Sequence, residues 1–371
     1  MHTAALSSLT HRIPVGAPLP FNVRDAKHAL LLARGSVVAD RAQLEALVAR
    51  GALVDLAELR SAVDQARAAP RAALPQLWRH TLARVADTLA CCDAETFRGA
   101  LDEAAAPALA LVERDPDLAI FQILTQGAGV DTGYGARRSL HAAVTASLVA
   151  QRLAWSPAEV ERAFKAALTM NLSMLELQGL LARQTEPPTP AQRAELRTHP
   201  MRSVQMLQRA RVRDADWLRA VLQHHEQEDG SGYPAGSREV CELASLVRRA
   251  DVYTSKLTAR NTRDALAADV AGRAMFMQDP GHPMTQALVK EFGIYPPGSH
   301  VRLASGALAI VVGRGPTITA PLVARLTEPD GRSLPAPRRQ ATSEPGQAVV
   351  ALQSPRRGGL QLPSELLVTL D

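Results

Sequence analysis

The stretch His224-His225-Glu226-Gln227-Glu228-Asp229-Gly230-Ser231-Gly232-Tyr233-Pro234 constrains the fold more than any other. Adjacent residues on a regular helix do not share a face, so two neighbouring histidines cannot both meet one cation from within it. Either the helix ends at the pair, or the two rings face two cations. The second geometry favours a dinuclear site, in which two metals activate a water and clamp a phosphate. The turn that follows suits a helix end, because glycine reaches backbone angles other residues resist and Pro234 fixes the exit. Histidine is the commonest neutral metal ligand, and a carboxylate beside it can bind metal or move protons. A solvated helix end with an ordinary surface turn is the plainer alternative.

The chain of 371 residues is long enough for two or three structural units. Its core must be mostly Ala, Leu and Val, since hydrophobic residues make up 46% and aromatics only 4%. Ala and Leu favour helices. Three cysteines, Cys91, Cys92 and Cys241, two of them adjacent, argue against a disulfide framework and for a reducing cytoplasm. The first residues lack the basic start and apolar run of a signal peptide. No run of about twenty apolar residues predicts a membrane span. The net charge of +5 comes from dispersed arginine, which suits a soluble surface and an anionic small molecule. No basic run interleaved with aromatics points to a nucleic-acid polymer.

Residues 1–70 read as a small α+β unit. Apolar runs at 19–23 and 29–35 suggest strands, Leu44, Leu47 and Val48 suggest a helix over 40–50, and Leu53-Val54 after Gly51 can close the unit. An adaptor or oligomerisation piece without chemistry is the expectation there. Residues 71–115 read as a helical connector entered through Pro70 and Pro75. Helices continue through 116–292. One spans 139–153 with Ser139 as its cap. Ser156-Pro157-Ala158-Glu159 and Thr189-Pro190 open others, 199–210 starts at His199-Pro200, and 216–224 and 242–258 follow. Residues 293–371 form a β-rich tail. Val301–Leu303 and Leu308–Val312 make a hairpin, and Leu322–Leu326 a third strand. The Pro- and Arg-rich 333–346 reads as a mobile loop, and 348–371 as one or two strands.

Three further places in the helical region carry ligand-type residues. His141 sits on an apolar helix, His199 precedes a proline, and Asp251 lies in an apolar stretch that disfavours an unpaired carboxylate. Each alone has a bland reading: a satisfied core histidine, or an aspartate paired with an arginine. Together with His224 and His225 they can converge on a metal inside a bundle.

This constellation closely resembles the HD-GYP family, a branch of the HD superfamily of helical metal-dependent phosphohydrolases. Its members typically hydrolyse the bacterial messenger cyclic di-GMP. The resemblance runs from about 137 to 266, and 293–306 resembles the family's usual tail. It implies a mainly α fold, an HD-type helical bundle between the small N-terminal α+β unit and the β tail. It implies that His141, His199, His224, His225 and Asp251 are metal ligands. Arg260 and Arg263 fall where relatives contact ligand phosphates, and Gly232, Tyr233 and Pro234 are the name-giving motif.

The departures from the family weigh as heavily. Where relatives carry the His-Asp pair this sequence has Met170-Asn171, and the lysine that often assists the phosphate is Met174. Arg137 stands one turn before His141, where some relatives have a metal-binding glutamate. Asn cannot cancel a cation's charge, and Met is a poor partner for Fe or Mn. Two cations without the bridging carboxylate would repel. His199, His224 and His225 can still hold one metal, so one divalent ion of Fe or Mn type, or none, is expected.

Three readings follow. The first is a degenerate member that binds cyclic di-GMP, or a partner such as a GGDEF-type diguanylate cyclase domain, with little or no hydrolysis. The second is a phosphodiesterase using a reduced metal site. The third is a protein-interaction scaffold. A cytoplasmic location without membrane contact is expected, and a homodimer is left open.

Overall fold

In the computed structural model, residues 3–353 are described except 14, 17, 20, 56–60, 92–95 and 127–132, with residues 11 and 12 described by backbone only. Two units divide the chain, Met1–Ala69 and Pro70–Asp371. The first holds β1 (Thr3–Ala5), β2 (Val23–Arg24), β3 (Leu30–Leu32), α1 (Arg41–Ala49), β4 (Leu53–Asp55) and α2 (Ala62–Ala68). Its strands make an antiparallel sheet in the order β1-β4-β2-β3. Leu6, Leu19, Phe21, Val23, Val38 and Val54 fill its core. Asp40 caps α1 by accepting from the Gln43 amide, one of the donors a helix start leaves unpaired.

The second unit begins with α3 (Leu74–Ala90), α4 (Phe97–Arg114) and α5 (Pro116–Thr125). It continues through α6 (Tyr134–Arg152), α7 (Pro157–Thr169), α8 (Leu175–Arg183), α9 (Pro190–Arg209), α10 (Ala215–Gln223), α11 (Glu242–Leu257), α12 (Ala268–Gln278) and α13 (Pro283–Phe292). Helix α6 is the axis of this bundle, packing against α3, α4, α5, α7, α8, α11 and α13. It can do so because its buried face is made of small residues, among them Ala142, Ala143, Ala146, Ser147 and Ala150. At Gly135 a Cβ would overlap the Leu175 carbonyl, so glycine is what lets α8 begin there. Since α3 and α4 both pack on α6, these two helices are part of the bundle's wall.

The helix starts at 157 and 190 form as their sequence devices predict, with Ser156–Glu159 and Thr189–Gln192 capping boxes. Two other expected starts do not form. Helix α6 begins after Gly133 and carries Ser139 in its interior, because the apolar pattern continues upstream to Tyr134. Helix α9 runs unbroken through Pro200.

After α13 come β5 (His300–Leu303), β6 (Leu308–Gly313), β7 (Leu322–Thr327), β8 (Ser333–Ala341) and β9 (Val349–Gln353), an antiparallel sheet in the order β8-β7-β6-β5-β9. Residues 333–341 are therefore a strand and not a loop. Pro335 and Pro337 are tolerated because β8 is an edge, where a missing N–H removes no interior ladder bond. Of the expected 348–371 strands, β9 forms and 354–371 lie outside the described residues. Arg314 fastens the sheet to the helices. Its amide and guanidinium reach Asp117 at 2.8 and 2.6 Å, and the guanidinium reaches Glu291 at 2.9 Å. Among the described residues no helix is long and apolar enough to cross a membrane.

Candidate metal and ligand site

Helix α10 ends at Gln223, one residue before the histidine pair, so the pair leaves the helix as the turn demands. Carbonyls of a last turn have no helical partner. The Val221 carbonyl is 2.6 Å from His224 Nδ1, which must therefore carry the proton. His199 reaches the same state by another route. Pro200 has no N–H, so the Leu196 carbonyl loses its helical donor. His199 Nδ1 takes that place at 2.6 Å.

With both Nδ1 atoms protonated, both Nε2 atoms present lone pairs, and they face each other at 3.1 Å. Two acceptors cannot hydrogen-bond. Burial first, and then a neighbouring histidine, lowers both pKa values to about 3, so each ring is neutral at pH 7. Such a pair fits a cation between the nitrogens, with the backbone carbonyls fixing the rings from behind. His225 completes the group: one ligand atom from each of His199, His224 and His225 lies within 4.8 Å of the others.

The loop after the pair is folded around Glu226. This buried carboxylate accepts from the Ala235 amide at 2.7 Å and the Ser237 amide at 3.0 Å, pulling residues 227–237 into a closed turn. The third residue of His-His-Glu is thus a loop anchor. Gly232 packs so closely that a Cβ would lie 2.5 Å from His225 O, Glu226 Cα and Gln227 N. The Tyr233–Pro234 peptide is cis. The Tyr233 ring stacks on His225 with centroids 4.6 Å apart, which holds that imidazole against His224.

His141 and Asp251 are not part of that group, although the Asp251 carboxylate lies within electrostatic reach of His199 and His224. Asp251 Oδ1 is 2.6 Å from Arg138 Nη2, an ion pair between α11 and α6 that is largely out of solvent. His141 is buried on α6, and its Nε2 has no partner. Burial, then Arg137 and Arg138, lowers its pKa to about 3. Met170 and Asn171 are buried at the end of α7, and the Asn171 Oδ1 is also without a partner. Their turn is fastened beside the cluster, since Ser173 Oγ donates to the His199 carbonyl at 3.0 Å. Arg138 was not singled out in the sequence. Its signal was position: one turn before His141, on a buried helix, three residues away.

A cavity of about 460 Å³ opens beside these residues. It is lined by His225, Tyr233, Asp251 and Arg138, by Arg260 beyond α11, and by the 184–188 segment between α8 and α9. Arg260 Nη2 donates to Ser255 Oγ at 2.9 Å, and Arg263 Nη2 to the Ser255 carbonyl at 2.5 Å. Burial, and then the charges of Arg260 and Arg138, lower the Arg263 pKa, which places the three guanidinium groups within electrostatic reach of one another.

Comparison with known proteins places this bundle. Residues 128–265 match the family model for an HD domain. The chain is 34% identical over 148 residues to the cyclic di-GMP phosphodiesterase PA4108 of Pseudomonas aeruginosa, covering 38% of this chain and 32% of that protein. It thus spans about a third of that relative's length. A solved structure, Bd1817, a HDG"Y"P protein from Bdellovibrio bacteriovorus, aligns with a TM-score of 0.50 at 16% identity. That alignment covers 78% of this chain and 98% of the other, and it bears on fold alone. The chain carries an HD-type helical domain. That domain contains the Gly232-Tyr233-Pro234 loop, which makes it similar to HD-GYP domains.

Proposed function

We propose that this protein is a degenerate HD-GYP member that binds cyclic di-GMP in the cavity and hydrolyses it weakly or not at all. The observation that carries this reading is the Arg138–Asp251 ion pair at 2.6 Å. A guanidinium is permanently charged and already neutralises the carboxylate a first metal would need. Beside it, Met170 and Asn171 supply no anion. The chemistry of two clamped cations therefore lacks its first post.

The three-histidine position does fit one divalent cation, which when bound would supply a Lewis acid. His199, His224 and His225 would hold it. That cluster favours a second reading, a phosphodiesterase with a reduced site. Arg260 and Arg263 suit ligand phosphates in either case, as guanidinium groups bind phosphate through a planar fork.

Calorimetric titration with cyclic di-GMP, followed by product analysis with Mn or Fe supplied, separates the readings. The expected outcome is saturable binding with the dinucleotide recovered intact. Sustained turnover to a linear product contradicts the degenerate reading, and absence of binding leaves the bundle as a scaffold.

A further inference from the structure

We propose that Arg138 is a phosphate-binding residue, which holds Asp251 with one nitrogen and offers the other, together with the Tyr134 hydroxyl, to a phosphate oxygen in the cavity. This inference rests on the nucleotide-binding reading above and names the residues that would make it possible without a first metal.

Arg138, Tyr134 and Gln178 line the same cavity. Three of their atoms, Arg138 Nη1, Tyr134 Oη and Gln178 Oε1, are buried without a hydrogen-bond partner. Buried polar atoms are ordinarily paired, and three unpaired around one cavity call for a partner from outside the chain. The Arg138 side chain is only 6% exposed and its Nη2 is committed to Asp251, so Nη1 is fixed in place by the ion pair. Nη1 and the tyrosine hydroxyl donate, which suits an anionic oxygen. Gln178 Oε1 accepts, which suits a hydroxyl or ring N–H beside that anion. A phosphodiester flanked by such a donor is a ribonucleotide feature. An inorganic cation would meet the guanidinium and be repelled. The carboxylates lining the cavity are Asp251, already paired, and the exposed Glu186.

The test compares Asp251→Asn with the double variant Arg138→Met/Asp251→Asn, each checked for cooperative melting. Both are neutral at position 251, so neither leaves a buried carboxylate unpaired. Cyclic di-GMP is titrated by calorimetry, and inorganic pyrophosphate by its shift of the melting temperature. Asp251→Asn keeps the Arg138 guanidinium in the cavity and is the reference for the comparison. The double variant binds roughly tenfold more weakly than Asp251→Asn, the loss of one charged hydrogen bond. Equal binding by the two variants overturns the proposal while leaving cyclic di-GMP as a ligand. A pyrophosphate shift that needs Arg138, without cyclic di-GMP binding, supports the proposal and removes the dinucleotide reading. No Arg138-dependent anion binding with either probe overturns it. If the double variant does not fold, Arg138→Lys/Asp251→Asn takes its place: it keeps the charge, loses the fork, and is expected to weaken binding severalfold.

Discussion

Acidification from pH 7 to pH 5 is expected to destabilise this protein by several kcal/mol. His141, His199 and His224 are buried, and their pKa values are lowered from 6.5 to about 3. A depressed histidine pKa means that the unfolded chain binds a proton the folded chain refuses. Below the unfolded value stability falls with falling pH, and the loss continues until the folded value near 3 is reached. Above pH 6.5 the full stability is present. Each ring contributes about 2 kcal/mol of loss between pH 7 and pH 5, so the three together remove on the order of 5 kcal/mol. That is a large part of an ordinary domain's margin. Urea denaturation at the two pH values checks this. An unchanged midpoint would show that the rings are solvated or already charged at neutral pH. Chelator-treated protein is expected to behave the same way, because the shift comes from burial.

The second large effect is expected at Gly232. A Cβ there would sit 2.5 Å from three backbone atoms, His225 O, Glu226 Cα and Gln227 N, none of which a rotamer change can move. Gly232→Ala must therefore open the turn that the Glu226 carboxylate closes on Ala235 and Ser237. Opening it releases Tyr233 from its stack on His225. Overpacking of this kind costs about 1–3 kcal/mol, and the lost loop bonds add to it. The expected result is a melting temperature lowered by about 5 °C or more, with cyclic di-GMP binding weakened alongside. A variant that melts like the parent would mean that the loop accommodates a side chain freely.

Much of this site could be read from residue order. The Gly-Ser-Gly turn after the paired histidines suited a helix end there, which is where α10 stops, and the capping boxes at Ser156 and Thr189 located two helix starts. What could not be read depended on elements meeting in space. Arg138 matters because α6 and α11 pack together and bring it to Asp251, 113 residues away in sequence. The plainer option for Asp251, pairing with an arginine, is what the fold realises. Pro200 looked like a helix start because proline is common there. Inside α9 its missing N–H instead frees the Leu196 carbonyl for His199. Pro335 and Pro337 suggested a loop because whether a strand lies at an edge is invisible before the sheet is known. Cys91 and Cys241 are free, and Cys92 lies outside the described residues.

On the proposed reading, an arginine takes the first cation's post and leaves room for one metal at His199, His224 and His225. Elemental analysis of protein produced with Mn and Fe in excess tests it most directly. No more than one equivalent per chain is expected, lost in His224→Ala; two equivalents per chain would rule this out.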